Sequence, residues 1–200
     1  GLKEAPWDVI EWMGIDVDDA GDVTLITVYN RGLTGTFALE WLPQSVVRVL
    51  LKKNRLSGSV KLESLPDGII YLNMNSNRLS GTLNLENLPG SLKELHLSSN
   101  QLTGSVNLTN LPENMEILSV FENRLCGTLD LTQLPETLIS IGLGNNAFSG
   151  DTDFGKLPAQ LTFLNVSYNE NLSGKLLPRK DVSYSIRRTK VHMQSAIFYS

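Results

Sequence analysis

Apolar residues recur along this chain in a fixed order, at successive steps of three, two and five. In the block 88–110 they fall at Leu92, Leu95, Leu97 and Leu102, separated by polar residues and followed by Gly104. Block 111–133 repeats the order with Met115, Leu118, Val120, Leu125 and Gly127. Leu-Pro pairs open at Leu42, Leu65, Leu88, Leu111, Leu134 and Leu157, each 23 residues after the last. Asparagines keep the same step at Asn54, Asn77, Asn100, Asn123, Asn146 and Asn169, and glycines do so from Gly35 to Gly150. A fixed period in the twenties predicts a solenoid, because one unit cannot bury its apolar face alone and stacks on its neighbours. Each L-x-x-L-x-L segment predicts a strand with its leucines inward and the alternate residues on the opposite, concave face.

The motif Leu92-x-x-Leu95-x-Leu97-x-x-Asn100-x-Leu102-x-Gly104 resembles the leucine-rich-repeat family, over residues 23–174. A second short alternating run after the glycine, Gly81 to Leu85, is similar to the plant-type and protist-type subclasses. It departs from the plant consensus, which has Ile-Pro where this chain has Leu-x-Leu. Trp12, Gly14, Val17, Asp18, Gly21 and Val23 resemble the plant-type N-terminal cap, with Val17 standing where that cap has a cysteine, so its disulfide is gone. The resemblance implies an α/β-type but mostly β solenoid, a right-handed horseshoe of about seven repeats. Its concave side would carry a parallel sheet and its convex side short second strands or 3-10 turns. The chain then divides into a cap over 1–22, repeats over 23–174, and a C-terminal cap strand with a basic tail over 175–200, all in one domain.

Outside the repeats the pattern changes. Trp7, Ile10 and Met13 stand at steps of three and predict an amphipathic turn covering the first repeat. Asp16, Asp18, Asp19 and Asp22 read as a solvated acidic turn, since a calcium loop's glycine and closing Glu are missing. The first repeat carries its asparagine, Asn30, one place early. After Gly174 the 23-residue period fails, and Val182, Tyr184 and Ile186 alternate with Ser183 and Ser185, predicting an edge strand. Residues 175–200 carry a net +5, which leaves −9 of the overall −4 on the rest of the chain. A cap held to an acidic body accounts for that tail; an adaptor binding nucleic acid or an acidic membrane through it is the alternative.

The periodicity assigns the repeat asparagines to structure, with amides expected on main-chain groups of the next coil. It also writes out the concave face. That face carries Tyr29, Arg48, Leu50, Lys52, Tyr71, Asn73, Asn75, Glu94, His96, Ser98, Ile117, Phe121, Phe163 and Asn165. Large apolar side chains at positions the core does not need, rimmed by charge, predict a patch that binds a protein partner. Ser140, Gly142 and Gly144 read as a bare strip beside Phe121. Glu94, His96 and Ser98 have the residue types of a catalytic triad, but i and i+2 stand about 7 Å apart along a strand, too far for the short bonds such a triad needs. On the flank, Glu40, Glu63 and Glu86 form one column, and Asn84, Asn107, Asp130 and Asp153 another, both read as solvated ladders.

Composition adds little beyond this. A hydrophobic fraction of 41% fits a globular chain, and no apolar run is long enough to span a bilayer. Cys126 is the one cysteine, so no intrachain disulfide forms, and with no visible leader this leans toward a cytoplasmic setting. No cofactor fingerprint or zinc spacing occurs. The resemblance therefore implies a non-catalytic interaction module for an unidentified protein partner, with no cofactor, no metal and nucleic acid disfavoured.

Overall fold

The structure is a computed structural model and describes residues 14–194. The turn expected around Trp7, Ile10 and Met13 lies outside the described residues. The chain winds as a β-solenoid with two sheets along its length. In the concave sheet, β1 (Ile15–Val17) pairs antiparallel with β2 (Val23–Thr27). The parallel strands β4 (Arg48–Leu50), β6 (Tyr71–Asn73), β8 (Glu94–His96), β10 (Ile117–Ser119), β12 (Ser140–Gly142), β14 (Phe163–Asn165) and β16 (Ser183–Ser185) follow in order. The second sheet runs β3 (Thr34–Gly35), β5 (Arg55–Gly58), β7 (Arg78–Thr82), β9 (Gln101–Gly104), β11 (Arg124–Gly127), β13 (Ala147–Asp153), β15 (Asn171–Leu176) and β17 (Lys190–Met193).

The core is the file of leucines between these sheets. Leu92, Leu95, Leu97 and Leu102 are each 0% exposed, and Val106 and Leu108 close the same coil. Every coil therefore buries its apolar residues against the coils before and after it, which is why a single repeat has no stability of its own. At the first coil this file ends on Ile26, Phe37 and Leu42, beside Trp41, which is 85% exposed.

The repeat asparagine ties coils together, but in the direction opposite to the expectation. Asn77 donates its amide to the carbonyls of Leu51 and Met74, both at 3.0 Å, and accepts from the Leu56 N–H. Leu51 and Leu56 belong to the preceding coil, not the next one. The reason is backbone polarity: the turn before the ladder position leaves carbonyls facing its amide, and the preceding coil offers an N–H that no strand partner uses. Asn100, Asn123 and Asn146 repeat the arrangement.

Just before each ladder position the backbone turns left-handed at a residue that is not glycine. Lys53, Ser76, Ser99, Glu122, Asn145 and Tyr168 have φ between 52° and 58°. Asn30 is the first of this series at φ 53°, so it fills the left-handed place in its coil, and Arg31 fills the ladder place. The strain is about 1 kcal/mol or more per residue, offset by the asparagine bonds beside it. The glycines that follow, such as Gly104 at φ 82°, serve two needs. A Cβ there would be strained and would meet Thr82 Cγ2 of the preceding coil at 3.0 Å.

The short second strand covers 78–82 in β7 and takes in Gly81 and Thr82 of the alternating run 81–85. Asn84 explains the end: its Oδ1 accepts from the Glu86 N–H at 3.0 Å and folds the backbone into a turn, while Leu83 and Leu85 still point into the core. Asn107, Asp130 and Asp153 do the same for Thr109, Thr132 and Gly155. The column of Asn and Asp is thus a row of turn-forming side chains. Thr132 bonds to Asp130 through its hydroxyl and its N–H, and these hold the Asp130 carboxyl below its ordinary pKa.

The solenoid makes a further, shorter turn after Gly174. β16 pairs with β14, β17 pairs with β15, and Arg188 takes the left-handed place at φ 55°. Thr189 stands in for the asparagine, its hydroxyl donating to the Ile186 carbonyl at 2.7 Å. The Arg179 guanidinium donates to the carbonyls of Pro158, Ala159 and Leu161. Part of the tail's basic charge is thereby anchored to the preceding coil.

Candidate protein-binding face

Strand register sets the concave face out as columns. Arg48, Tyr71, Glu94, Ile117, Ser140 and Phe163 pair in sequence from strand to strand, and Leu50, Asn73, His96, Ser119, Gly142 and Asn165 do likewise. Tyr29 is 43% and Phe163 37% exposed. Leu50, Tyr71, Ile117 and Phe121 are half-buried, leaning on neighbours along their columns.

A polar web fixes the middle of the face. Asn73 is 5% exposed and donates to the Tyr71 hydroxyl at 2.9 Å. Its Oδ1 takes the Asn75 N–H, and the Asn75 Oδ1 takes the Ser98 N–H. The Tyr71 ring lies 5.4 Å from the His96 ring, and the Arg48 guanidinium lies 4.7 Å from the Tyr71 ring centroid. Side chains so held lose little further entropy when a partner arrives.

Two expectations about this face are corrected. His96 Nε2 and Glu94 Oε2 do meet, at 3.0 Å, because two long side chains lean toward each other across the spacing of their Cα atoms. No triad results, since the Ser98 hydroxyl bonds to the Ser119 hydroxyl at 2.6 Å instead. The strip at Gly142 and Gly144 is not bare. Both are buried, and a Cβ on Gly144 would lie 2.5 Å from Asn165 Oδ1, so the Asn165 side chain covers that place. Asn165 is held there by the Ser167 N–H and hydroxyl.

Residues outside the sequence-based set also border the face. Lys53 reaches over the Tyr29 ring from the turn, at 5.7 Å, beside Lys52 at 5.2 Å. At the other end Arg187 and Arg188 lie 6.0 and 5.5 Å from the Tyr168 ring. Lys53, Tyr168 and Arg188 share the left-handed place and are exposed there; for Lys53 and Tyr168 the position just before a repeat asparagine was the signal for it. On the flank Glu40 and Glu63 are exposed, while Glu86 accepts from Asn107 at 2.9 Å. Cys126 is exposed on β11. Among the described residues no helix is long and apolar enough to cross a membrane.

No family model and no curated protein sequence matches the chain. Solved structures do. The crystal structure of Pollen Receptor Kinase 3 superposes with a TM-score of 0.59 at 21% identity, over 95% of this chain and 85% of that one. YopM from Yersinia enterocolitica gives 0.54 at 28% identity, over 76% of this chain and 30% of that one. The leucine-rich-repeat ectodomain of the Arabidopsis thaliana receptor kinase GASSHO1/SCHENGEN3, solved in complex with CASPARIAN STRIP INTEGRITY FACTOR 2, gives 0.56 at 23% identity, over 82% and 24%. The 23-residue period, the asparagine ladder between coils and these superpositions agree: the chain has the leucine-rich-repeat fold.

Proposed function

We propose that this chain is a non-catalytic recognition module that binds a protein partner through its concave sheet. The observation that carries the reading is the face itself. Tyr29, Tyr71, Phe121 and Phe163 stand on the side of the sheet that the leucine core does not use, and the web around Asn73 holds the middle of it rigid. Aromatic and Arg side chains on a rigid surface are the usual energetic centres of protein interfaces. A non-catalytic role is supported by Ser98, whose hydroxyl is engaged by Ser119 rather than by His96. The likeness to a receptor ectodomain solved with its bound factor supports a binding role for the fold.

The test compares the wild-type chain with a Tyr71→Ala, Phe121→Ala, Phe163→Ala variant of matched melting temperature in capture from lysate. Hydrogen exchange then maps the partner's footprint. Loss of the partner with the variant, and protection on 48–121, are expected. A partner retained equally by both chains, or protected sites confined to the flank or the tail, overturns the reading.

A further inference from the structure

We propose that the N-terminal part of the concave face docks an extended acidic peptide of the form acidic-x-apolar-x-acidic, with carboxylates at i and i+4. The proposal rests on the concave-face reading above and names the chemistry of the partner.

Arg48, Leu50 and Lys52 project from one coil at alternate positions, with Val49 and Leu51 buried between them. They therefore form a row with a spacing of about 6.6 Å, twice the rise of an extended residue. Arg48 stacks 4.7 Å from the Tyr71 ring on the following strand. Lys52 and Lys53 stack on Tyr29 in the preceding coil, at 5.2 and 5.7 Å. Stacking on a ring face positions a cation without neutralising it.

The ion pairs among the described residues are Lys93 with Glu116, His96 with Glu94, and Arg179 with Asp181. None involves Arg48, Lys52 or Lys53. On the N-terminal side of Glu94 the one acid in the concave columns is Asp16, paired with Leu25 and two strands away from Arg48, on a chain whose formal charge is −4. A positioned cationic row with a half-buried leucine at its centre thus sits on an otherwise acidic protein.

A partner in extended conformation has the same rise and the same alternation. Its residues i, i+2 and i+4, laid along β4, fall in register on Arg48, Leu50 and Lys52. The Arg48 fork donates two parallel bonds to one carboxylate, and Lys52 with Lys53 meets the other as point charges. A neutral or basic segment in this place would desolvate Arg48 and Lys52 without a partner charge, which disfavours it.

The experiment is panning of a random dodecamer phage library on the whole chain, followed by affinity measurement on the best synthetic peptide. Enriched peptides are expected to carry Asp or Glu at i and i+4 around an apolar residue, with binding that weakens as salt rises. Arg48→Ser with Lys52→Ser should lose about tenfold or more of that affinity, the worth of one charge-assisted contact. Arg48→Glu with Lys52→Glu should turn the enriched set toward Lys and Arg at the same spacing. All these changes are at solvent-facing positions, and melting curves confirm that the variants fold.

Enrichment of nothing, peptides without the acidic pair, indifference to the Arg48 and Lys52 changes, or displacement by a single-stranded oligonucleotide as readily as by free peptide would each overturn the proposal. If the enriched peptides are apolar and are lost with Phe121→Ala and Phe163→Ala, the concave reading stands and the acidic partner falls. If they ignore both sets of changes, both readings fall.

Discussion

The Asn77 side-chain amide reaches back across the solenoid to the Leu51 carbonyl at 3.0 Å, while its own oxygen receives the Leu56 N–H. One buried side chain thereby satisfies two backbone groups of the coil before it and two, the Met74 and Asn75 carbonyls, of its own. Stacking of leucines alone would leave coils able to slide, since apolar contact has little direction. The amide bonds are directional and hold each coil in register with its predecessor.

Asn77→Ala should therefore cost about 3 kcal/mol, the worth of leaving buried backbone groups without partners. Urea denaturation of the whole chain measures it. A loss below about 1 kcal/mol would mean that water replaces the amide and that the ladder is not what sets the coils.

At Ser76 the backbone is left-handed, with φ 56°. Ser76→Val should destabilise by about 1–2 kcal/mol, because a β-branched side chain crowds the backbone there. Ser76→Gly should hold stability or raise it by less than about 1 kcal/mol, relief of strain being partly cancelled by the freer unfolded chain. Melting curves of the two variants, run together, check the sign of each change.

Leu97 is 0% exposed, whereas Phe121, 24 residues on and in the next coil, is half-buried. Leu97→Ala should cost about 2–5 kcal/mol by opening a cavity. Phe121→Ala should cost about 1 kcal/mol or less and act instead on partner binding. Equal losses of stability for the two would contradict the assignment of Phe121 to the recognition face.

Asp130 should titrate below an ordinary aspartate, the Thr132 hydroxyl being the largest cause and its N–H the next. The sign follows from linkage: a carboxyl whose pKa is depressed in the folded state contributes stability above its unfolded pKa and loses it as the pH falls through the folded value. Carbon-detected NMR titration of the side chain measures the midpoint. In Thr132→Val the midpoint should rise toward the ordinary range while the backbone bond remains; an unchanged midpoint would assign the depression elsewhere.

The repeat, the leucine core and the three outward columns were legible in the residues alone. They depend on local periodicity, and a 23-residue step with Leu92, Leu95 and Leu97 inward places Glu94, His96 and Ser98 outward without further information. What the columns do to one another was not legible. Whether Glu94 reaches His96, whether Ser98 prefers Ser119, and whether Asn165 covers Gly144 depend on side-chain torsions chosen in the packed sheet. The same holds for the direction of the asparagine bonds and for the extra turn closed by Thr189, where a 20-residue step hides the repeat from a period count. The sequence by itself determined which residues face which way, because strand alternation is a property of the backbone. Only the tertiary structure decided which of them touch, because the free hydrogen-bonding groups of one coil become partners only when the next coil is laid against it.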